Sequence, residues 1–473
     1  MRKRGIQLKM FKKIEIWILY LTILLSILFA FAFGVLVRQE IEGITKKGSI
    51  DISFLSRPAA SIARLPEQFL QMLLKPNPNR LSDPWEDPRD FYFQQGFKGT
   101  PNISESYLLL SRYDGDLEEG LVELVNLQNF KILHTWNPDI DKFNKKIKHI
   151  EEFKFIERDS NNYRQLLRHP YLSSNGYLFF KQDSPLRVID ECSELIYQNT
   201  HDRFHHSIES DIDGNIWIPT HQYPQSLDKT IIGRNKRFDN GYEDDAVLKI
   251  SPEGTILFEK SVSEIFIEND MEYLLFSVGD KHFDTDPIHL NDIQPVKADS
   301  QYWKKGDIFI SLRHQSMVLL YRPSTNKILW KGVGKFFHQH DVNIIDDHRI
   351  SVFNNNSKDF IDGNIVDGNN EVIIYDFSKD KYTTYLNDSM KNSDIRTVTQ
   401  GRSKILPNGD LFIEESNYGR TLYFNSDGSI RWTHVNLADD ANIYNVGWSR
   451  ILFTEKDIQT VNNFLKNKET CNE

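Results

Sequence analysis

One pattern, repeated six times beyond Ser104, constrains the fold more than any other feature of the chain. Each copy contains an apolar strand, a short polar turn and a second strand that ends in an aromatic residue. The six copies end at Trp136, Tyr197, Phe258, Trp330, Tyr385 and Trp432. Neighbouring copies are roughly 45–75 residues apart, a spacing typical of propeller blades. The pattern therefore predicts six structural repeats.

A second turn and strand precede several of these copies. These additional units begin at Ser173, Asp211, Lys305 and Leu406. Asn-Gly and Asp-Gly turns within them favour tight hairpins, because these residues accept a positive φ at low cost. Two hairpins per repeat give four strands, so the sequence predicts an all-β fold, a six-bladed β-propeller. A parallel α/β fold is disfavoured, since the polar tail near 455–468 has the only long amphipathic helical period after residue 100.

The N-terminus combines basic residues with one long apolar run. Six cations and a single acid, Glu15, precede the run from Ile16 to Val37. About 20 apolar residues in a helix cross the roughly 30 Å of hydrocarbon in a lipid bilayer. The run predicts one transmembrane helix, and the positive-inside rule places the N-terminus in the cytoplasm. A cleaved signal peptide is the alternative, but the run exceeds the usual apolar region of such peptides.

These features predict an order of segments along the chain. Residues 1–15 would form a cytoplasmic basic segment and residues 16–37 the transmembrane helix. Residues 38–100 read as an extracytoplasmic spacer, because they are rich in proline and charge. Within this spacer, apolar residues at helical spacing indicate a short helix from Ser61 to Leu74. Residues 101–453 would form the propeller, outside the cytoplasm and in the periplasm if the source is bacterial. Residues 454–473 read as a polar C-terminal tail.

Composition excludes several classes of function. The net charge of -10 gives no basic surface for a phosphate backbone, so we expect no nucleic-acid partner. The chain has no glycine-rich phosphate loop, no paired CxxC, no HExxH and no GxSxG motif. Its two cysteines, Cys192 and Cys471, lie in an apolar run and in the polar tail, so a disulfide framework is not expected. Oligomeric state stays open.

Histidines are the chemically active residues that cluster. Nine of the fourteen lie between positions 201 and 340. Several begin or end a predicted blade, where the innermost strands of a propeller line one channel and bring distant residues together. Imidazole serves as nucleophile, general acid or base, and metal ligand. Glu209, Asp211 and Asp292 could supply oxygen ligands, but no fixed ligand spacing is present, so we expect neither a metal nor another cofactor.

Four short motifs occur in a particular order between His205 and Asn356. They are H-x-N-x-I at His289, S-x-R-H-Q-S at Ser311, Q-H at Gln339 and S-V-F-x-N at Ser351. In these segments the sequence resembles the arylsulfate sulfotransferase family, whose members transfer a sulfuryl group between phenols without the nucleotide donor PAPS. The resemblance implies a six-bladed propeller, which agrees with the repeat count.

The resemblance also implies roles for individual residues. His340 would be the nucleophile that becomes a transient sulfohistidine, and His206 and His289 would bind sulfate or exchange protons with the phenolic oxygen. Arg313 would hold sulfate oxygens. Four further residues would contact the substrate: Asn291, His205, His338 and Gln339. An aryl sulfate donor and a phenolic acceptor would react by a ping-pong mechanism.

A reading from another class remains open at this stage. The same propeller could be a non-catalytic, membrane-anchored module that binds a glycan, a peptide or a protein partner. Each histidine taken alone is more often a structural or surface residue than a catalytic one. Catalysis requires His206, His289, Arg313 and His340 to face one pocket within reach of a single sulfate, so their geometry discriminates between the two readings.

Overall fold

The structure, a computed structural model, describes residues 15–41, 46–47, 50–51, 54–63, 77–82, 94–148, 153–200, 203–228, 242–277, 285–360, 363–468 and 471. The chain divides into two compact units, residues 1–76 and residues 77–473.

The first unit contains the expected apolar helix. Helix Ile16–Ile41 is followed by a pair of two-residue strands, Lys46–Lys47 and Ile50–Asp51, and by a second helix at 54–63. From Ile16 to Gln39 the first helix has a mean hydropathy of 2.5, and none of its most apolar stretch is buried within the protein. Its length and composition therefore suit a membrane span or a signal sequence. The basic residues before Glu15, and the predicted helix beyond residue 63, lie outside the described residues.

The second unit is a propeller of six blades, which confirms the fold expected from the repeats. From the axis outward, blade 1 consists of Arg450–Leu452, Tyr107–Asp114, Glu119–Asn126 and Lys131–Trp136. Blade 2 consists of Arg168–Leu172, Leu178–Lys181, Leu186–Ile189 and Leu195–Asn199. Blade 3 consists of Arg203–Phe204 with Glu209–Ser210, then Ile216–His221, Asp245–Ile250 and Ile256–Ser261.

The other three blades repeat this antiparallel order. Blade 4 consists of Leu290–Pro295, Ile308–Leu312, Met317–Arg322 and Lys327–Val333. Blade 5 consists of His340–Ile344, Arg349–Asn354, Glu371–Asp376 and Lys381–Tyr385. Blade 6 consists of Arg402–Ile405, Leu411–Glu415, Arg420–Phe424 and Ile430–Val435, with Gly96–Gly99 as a fifth, outer strand.

Shorter elements connect and decorate the blades. Two further strand pairs are Arg80–Ser82 with Ile443–Tyr444 and Ser357–Phe360 with Gly363–Val366. Within its described residues this unit has helices at Ile140–Asn144, Ile156–Asp159, Val262–Glu268, Tyr273–Phe276, Asn387–Asn392 and Glu455–Asn467, with 3-10 turns at Pro323–Thr325 and Ser416–Tyr418.

The repeated hairpin of the sequence is the outer hairpin of each blade. Its terminal aromatic lies on the second strand of the hairpin, and Trp136 and Trp432 are completely buried there. A side chain of this size removes roughly 150–250 Å² from water, which contributes about 4–6 kcal/mol at 25 cal/mol per Å². Six separate apolar clusters fill the six spaces between neighbouring blades. The ring is therefore closed by apolar packing on every side.

Strand pairing also closes the ring. The innermost strand of blade 1, Arg450–Leu452, comes from the end of the chain and pairs with Tyr107–Asp114 from its beginning. Gly96–Gly99 pairs with the outer strand of blade 6, so the segment expected to be a spacer contributes a strand to the propeller. Four residues with glycine at both ends carry no alternating pattern, which is why the sequence did not reveal this strand.

The C-terminal tail contains a packed helix and a cysteine that forms a disulfide bond. Helix Glu455–Asn467 begins with a capping box formed by Thr454 and Asp457, and its Phe464 is buried in the layer between blades 1 and 2. Cys192 and Cys471 form a disulfide, although a disulfide framework was not expected from the sequence. The helix returns the chain end to blade 2, so residues 279 positions apart have Cα atoms separated by 5.4 Å.

Candidate active site

Four aromatic rings from four different blades meet at one end of the innermost strands. The ring of His206 lies 5.0 Å from that of His289, 6.2 Å from His340 and 5.9 Å from Trp448, between ring centroids. His340 and Trp448 are also 5.9 Å apart. Residues separated by more than 240 positions in sequence thus form one cluster, which we call the axial site.

The backbone is strained where the chain enters these strands. His206, His289 and Trp448 have φ values of 56°, 52° and 61°, in the left-handed region that favours glycine. For a residue other than glycine, this backbone conformation costs on the order of 1–3 kcal/mol, and such residues cluster at functional sites. The folded blades hold the three rings in these positions against that cost.

His340 is held with one ring nitrogen available. Its Nδ1 lies 2.7 Å from Oδ1 of Asn355, and the amide nitrogen of Asn355 donates to the carbonyls of Thr397 and Gln400. Asn355 therefore presents its oxygen to His340, so Nδ1 carries the hydrogen and Nε2 carries the lone pair. Burial, followed by the charge of Arg313, holds the pKa of His340 well below its usual range. The ring is neutral, the form required of a nucleophile.

Arg313 is positioned by the neighbouring His314. Nδ1 of His314 is 2.6 Å from the carbonyl of Asp286 and must donate to it, so Nε2 of His314 accepts from Nη1 of Arg313 at 2.7 Å. The Nε of Arg313 is buried and has no hydrogen-bond partner among the described residues. Burial lowers the pKa of Arg313, but a guanidinium stays charged at neutral pH. A fixed cation with a free donor thus lies beside His340.

His289 is paired with a carboxylate. Its Nδ1 lies 2.6 Å from Oδ2 of Asp286, and its ring stacks on that of His314 with centroids 4.4 Å apart. A carboxylate next to Nδ1 favours a hydrogen there and orients the ring. Nε2 of His289 can then accept a proton as the neutral ring and return it as the imidazolium.

His206 is hydrogen-bonded to the preceding histidine. The two Nδ1 atoms of His205 and His206 are 2.7 Å apart, so one donates and the other accepts. Burial, followed by the charges of His205, His289 and His340, holds the pKa of His206 well below its usual range. Burial also lowers the pKa of His205 to about 4. Both rings are therefore neutral at physiological pH.

The remaining residues expected at the site lie in different places. Asn291 donates from Nδ2 to the carbonyl of Gln339 at 2.7 Å, next to His340, and its buried Oδ1 has no partner among the described residues. His338 lies at the rim, 3.5 Å from Oδ2 of Asp359, and burial lowers its pKa. The amide of Gln339 instead donates to Ser311 and to two backbone carbonyls of blade 4. Gln339 thus joins two blades and is not turned toward the cluster of rings.

Sequence reasoning gave no role to several residues of the axial site. Asn355 and His314 lie inside the quoted motifs S-V-F-x-N and S-x-R-H-Q-S, so a signal was present. Trp448 had none. Lys181 is fully buried without a partner in the described part of the chain, burial lowers its pKa to about 7, and its charge acts on both His205 and His206. In the sequence, a lysine within an apolar strand does not indicate that it lies close to these histidines.

Comparison with known proteins identifies one family. The model of the arylsulfotransferase (ASST) family matches residues 172–437, more than half of the chain, and this segment contains His206, His289, Arg313, His340 and Asn355. No curated protein matches the chain.

Three of the solved structures that the chain resembles share little sequence with it. A protein of unknown function from Bacteroides caccae is 10% identical, covers 74% of this chain and 99% of its own, and has a TM-score of 0.44. A streptogramin B lyase structure is 10% identical over 76% of this chain and 97% of its own, with a TM-score of 0.35. Hydrazine synthase from Kuenenia stuttgartiensis is 9% identical, covers 65% of this chain and 71% of its own, and has a TM-score of 0.36.

Proposed function

Because this chain belongs to the arylsulfotransferase (ASST) family, we propose that it transfers a sulfuryl group from an aryl sulfate ester to a phenolic acceptor through a sulfohistidine at His340. The observation that carries the proposal is the bond between Nδ1 of His340 and Oδ1 of Asn355. It leaves Nε2 of a neutral ring with its lone pair, beside the fixed cation of Arg313.

In the first half-reaction, the lone pair of His340 Nε2 attacks sulfur. An N–S bond forms, the S–O bond to the aryl group breaks, and its electron pair leaves on the phenolic oxygen. His289, as the imidazolium paired with Asp286, gives that oxygen a proton. Arg313 and His206 contact the equatorial sulfate oxygens, where donors in a water-excluded site act most strongly.

The second half-reaction runs in the opposite sense. The acceptor phenol replaces the first phenol, and neutral His289 takes its hydroxyl proton. The phenolic oxygen attacks sulfur while the N–S bond breaks and its electron pair returns to His340 Nε2. The enzyme holds the sulfuryl group between the two steps, so no nucleotide is needed and the kinetics are ping-pong.

The proposal extends to the setting of the enzyme. Helix Ile16–Ile41 would anchor the chain in a lipid bilayer, with residues 1–15 in the cytoplasm because they carry the cations. The propeller would then lie outside the cytoplasm, in the periplasm of a bacterial source. An enzyme there has no access to PAPS, which suits a donor that is itself an aryl sulfate.

The proposal is tested with the full-length chain in detergent, given a chromogenic aryl sulfate and a phenol. We expect transfer by the wild type and by His348→Ala, whose histidine lies at a surface turn beside Asp346 and Asp347. His340→Ala should lose at least about 10³-fold in kcat, as expected when a nucleophile is removed. The donor alone should leave one sulfuryl group on the wild type, detected by mass on the peptide that contains His340.

Two results would contradict the proposal. Transfer by His340→Ala at the wild-type rate would exclude this nucleophile. Absence of transfer by a folded wild type across a panel of aryl sulfates would instead favour a propeller that only binds a glycan, peptide or protein.

A further inference from the structure

A second group of titratable residues lies behind the axial site, on three neighbouring strands of blade 3. His205 directly follows Arg203–Phe204, His221 ends Ile216–His221, and Asp245 begins Asp245–Ile250. His221 and Asp245 face each other in the strand register. The order of the strands therefore brings two imidazoles and one carboxylate to the same edge of the sheet.

The facing atoms of this group are close but make no hydrogen bonds with each other. Nε2 of His205 lies 3.2 Å from Oδ1 of Asp245, and Nε2 of His221 lies 3.4 Å from the same oxygen. His205 is 8% exposed and Asp245 is completely buried. Nevertheless, Nε2 of His205 and Oδ1 of Asp245 have no hydrogen-bond partner among the described residues. Buried polar atoms are nearly always hydrogen-bonded, so these two facing atoms suggest that an ion can bind between them.

The distances suit a shared metal ion. In a tetrahedral site with bonds of about 2.0–2.2 Å, ligand atoms are about 3.3 Å apart. The two measured separations fall on either side of that value, and all three ligand atoms lie within 4.8 Å of one another. Two imidazoles and one carboxylate form a common ligand set for zinc.

We propose that Nε2 of His205, Nε2 of His221 and Oδ1 of Asp245 bind one divalent metal ion of the zinc class. The other carboxylate oxygen, Oδ2 of Asp245, accepts from the backbone N–H of Leu290 at 2.9 Å and orients the ligand. A water molecule can take the fourth position, and Glu243 Oε2 lies nearby, 3.6 Å from Nε2 of His221.

This site differs from the one considered in the sequence. The oxygen ligands weighed there are engaged elsewhere: Glu209 binds Arg450, Asp211 binds Lys249, and Asp292 accepts from the backbone of Val342. The sequence did not indicate this site, because its three ligands have no fixed spacing along the chain. Strand register, and not a local motif, brings them together.

Two other clusters of similar composition are less suited to a metal. In the axial site, Asp286, His289 and His314 already use their facing atoms in hydrogen bonds with each other or with the backbone. Asp346, Asp347 and His348 lie at a surface turn, where Arg349 also binds Asp346. Both clusters therefore serve as controls.

The metal would determine the hydrogen positions at His206. A metal on Nε2 of His205 requires the hydrogen on Nδ1, which then donates to Nδ1 of His206 at 2.7 Å. His206 must in turn carry its hydrogen on Nε2 and becomes a donor toward the sulfate oxygens. This consequence rests on the proposed function, whereas the metal site itself does not.

The test measures metal binding directly on the full-length chain in detergent. The protein is stripped with a chelator and titrated with Co²⁺ alone, whose visible absorption reports nitrogen and oxygen coordination, and zinc bound after dialysis is counted by mass spectrometry. We expect one ion per chain in the wild type, in His314→Ala and in His348→Ala. We expect at least 10-fold weaker binding in His221→Gln and in Asp245→Asn.

Folding of each variant is checked by its thermal transition, and His221→Gln decides the test if buried Asp245→Asn does not fold. The proposal is overturned if the wild type binds no stoichiometric metal or if folded His221→Gln binds it equally well. Loss of the metal in His314→Ala alone would place it in the axial cluster and also overturn the proposal. A chain that binds no metal but transfers sulfuryl groups would refute only this inference, and the reverse result would refute only the proposed function.

Discussion

At the scale of single residues, one position near the axis recurs in blades 2 to 5 and links each of these four blades to the next. His169, Ser207, Asp292 and Asp341 accept from the backbone N–H of Ile208, Ile293, Val342 and Ser403, respectively. Each bond joins a side chain of one blade to the backbone of the following blade. These polar contacts fix the blades relative to one another near the axis, where the ion pairs Arg402–Asp341 and Arg450–Glu209 are also found.

Asp292 should make stability depend on pH in an identifiable way. Burial, followed by the charges of Asp341 and Glu209, raises its pKa to about 8 from 3.8. Between these values the folded chain holds a proton that the unfolded chain releases, so this group lowers the free energy of unfolding as pH rises. Asp292→Asn removes the titration and keeps an oxygen for the N–H of Val342.

We therefore expect the variant to gain stability relative to the wild type as pH rises from about 4 to about 8, with no further change above that range. Urea denaturation at several pH values measures the difference. A difference that stays constant over this range would show that the carboxyl of Asp292 ionises normally.

The sequence indicated which histidines meet, but not how their hydrogens are arranged. His206, His289 and His340 could be named because each lies in a segment that begins or ends a blade, and propeller topology brings such positions together. The role of Asn355 depends on which way its amide faces, and that is determined by two carbonyls on a later loop. Such directional information is absent from a residue pattern.

At the scale of secondary structure, the C-terminal helix is part of the propeller core. The ring of Phe464 lies 5.1 Å from both Trp136 and His134, between centroids, and only 5% of the residue is exposed. The helix therefore covers the outer strand of blade 1 and seals the apolar layer between blades 1 and 2.

Phe464→Ala should lower the free energy of unfolding by about 3–5 kcal/mol, because it removes a large buried ring and leaves a cavity. Asn463→Ala, on the exposed face of the same helix, is the matched control and should change it by less than about 0.5 kcal/mol. Urea denaturation of both variants provides the comparison. Equal effects would mean that the helix does not contribute to the core.

Secondary structure was predictable where a pattern is long enough to repeat. Six outer hairpins were found because each repeats an apolar strand, a polar turn and a second strand over a dozen residues or more, and ends in an aromatic that packs between blades. Gly96–Gly99 was not, since its identity as a strand comes from the open edge of Ile430–Val435 and from Phe97, which stacks on Phe130 at 4.9 Å. Tertiary contact, and not local pattern, creates this strand.

At the scale of the whole molecule, the disulfide between Cys192 and Cys471 holds the chain end against blade 2. A bridge across a long loop stabilises mainly by restricting the unfolded chain, typically by about 2–4 kcal/mol. Replacing both cysteines with serine should lower the thermal midpoint, and a reductant should affect the wild type but not the double variant. Differential scanning calorimetry measures both effects. A reductant that acts equally on the two proteins would point to a cause other than the bridge.

Blade 1 can be completed only late in synthesis, because its innermost strand lies near the C-terminal end of the propeller sequence. A ribosome completes the three strands of this blade that end at Trp136 long before it reaches Arg450, the start of the fourth. At about 5–20 residues per second, the interval lasts roughly 15–60 s. Throughout that interval Tyr107–Asp114 presents an unpaired backbone edge, which is a template for pairing with other chains. Newly made copies are therefore most prone to pair with one another at this edge, and that exposure ends once Arg450–Leu452 has emerged and paired.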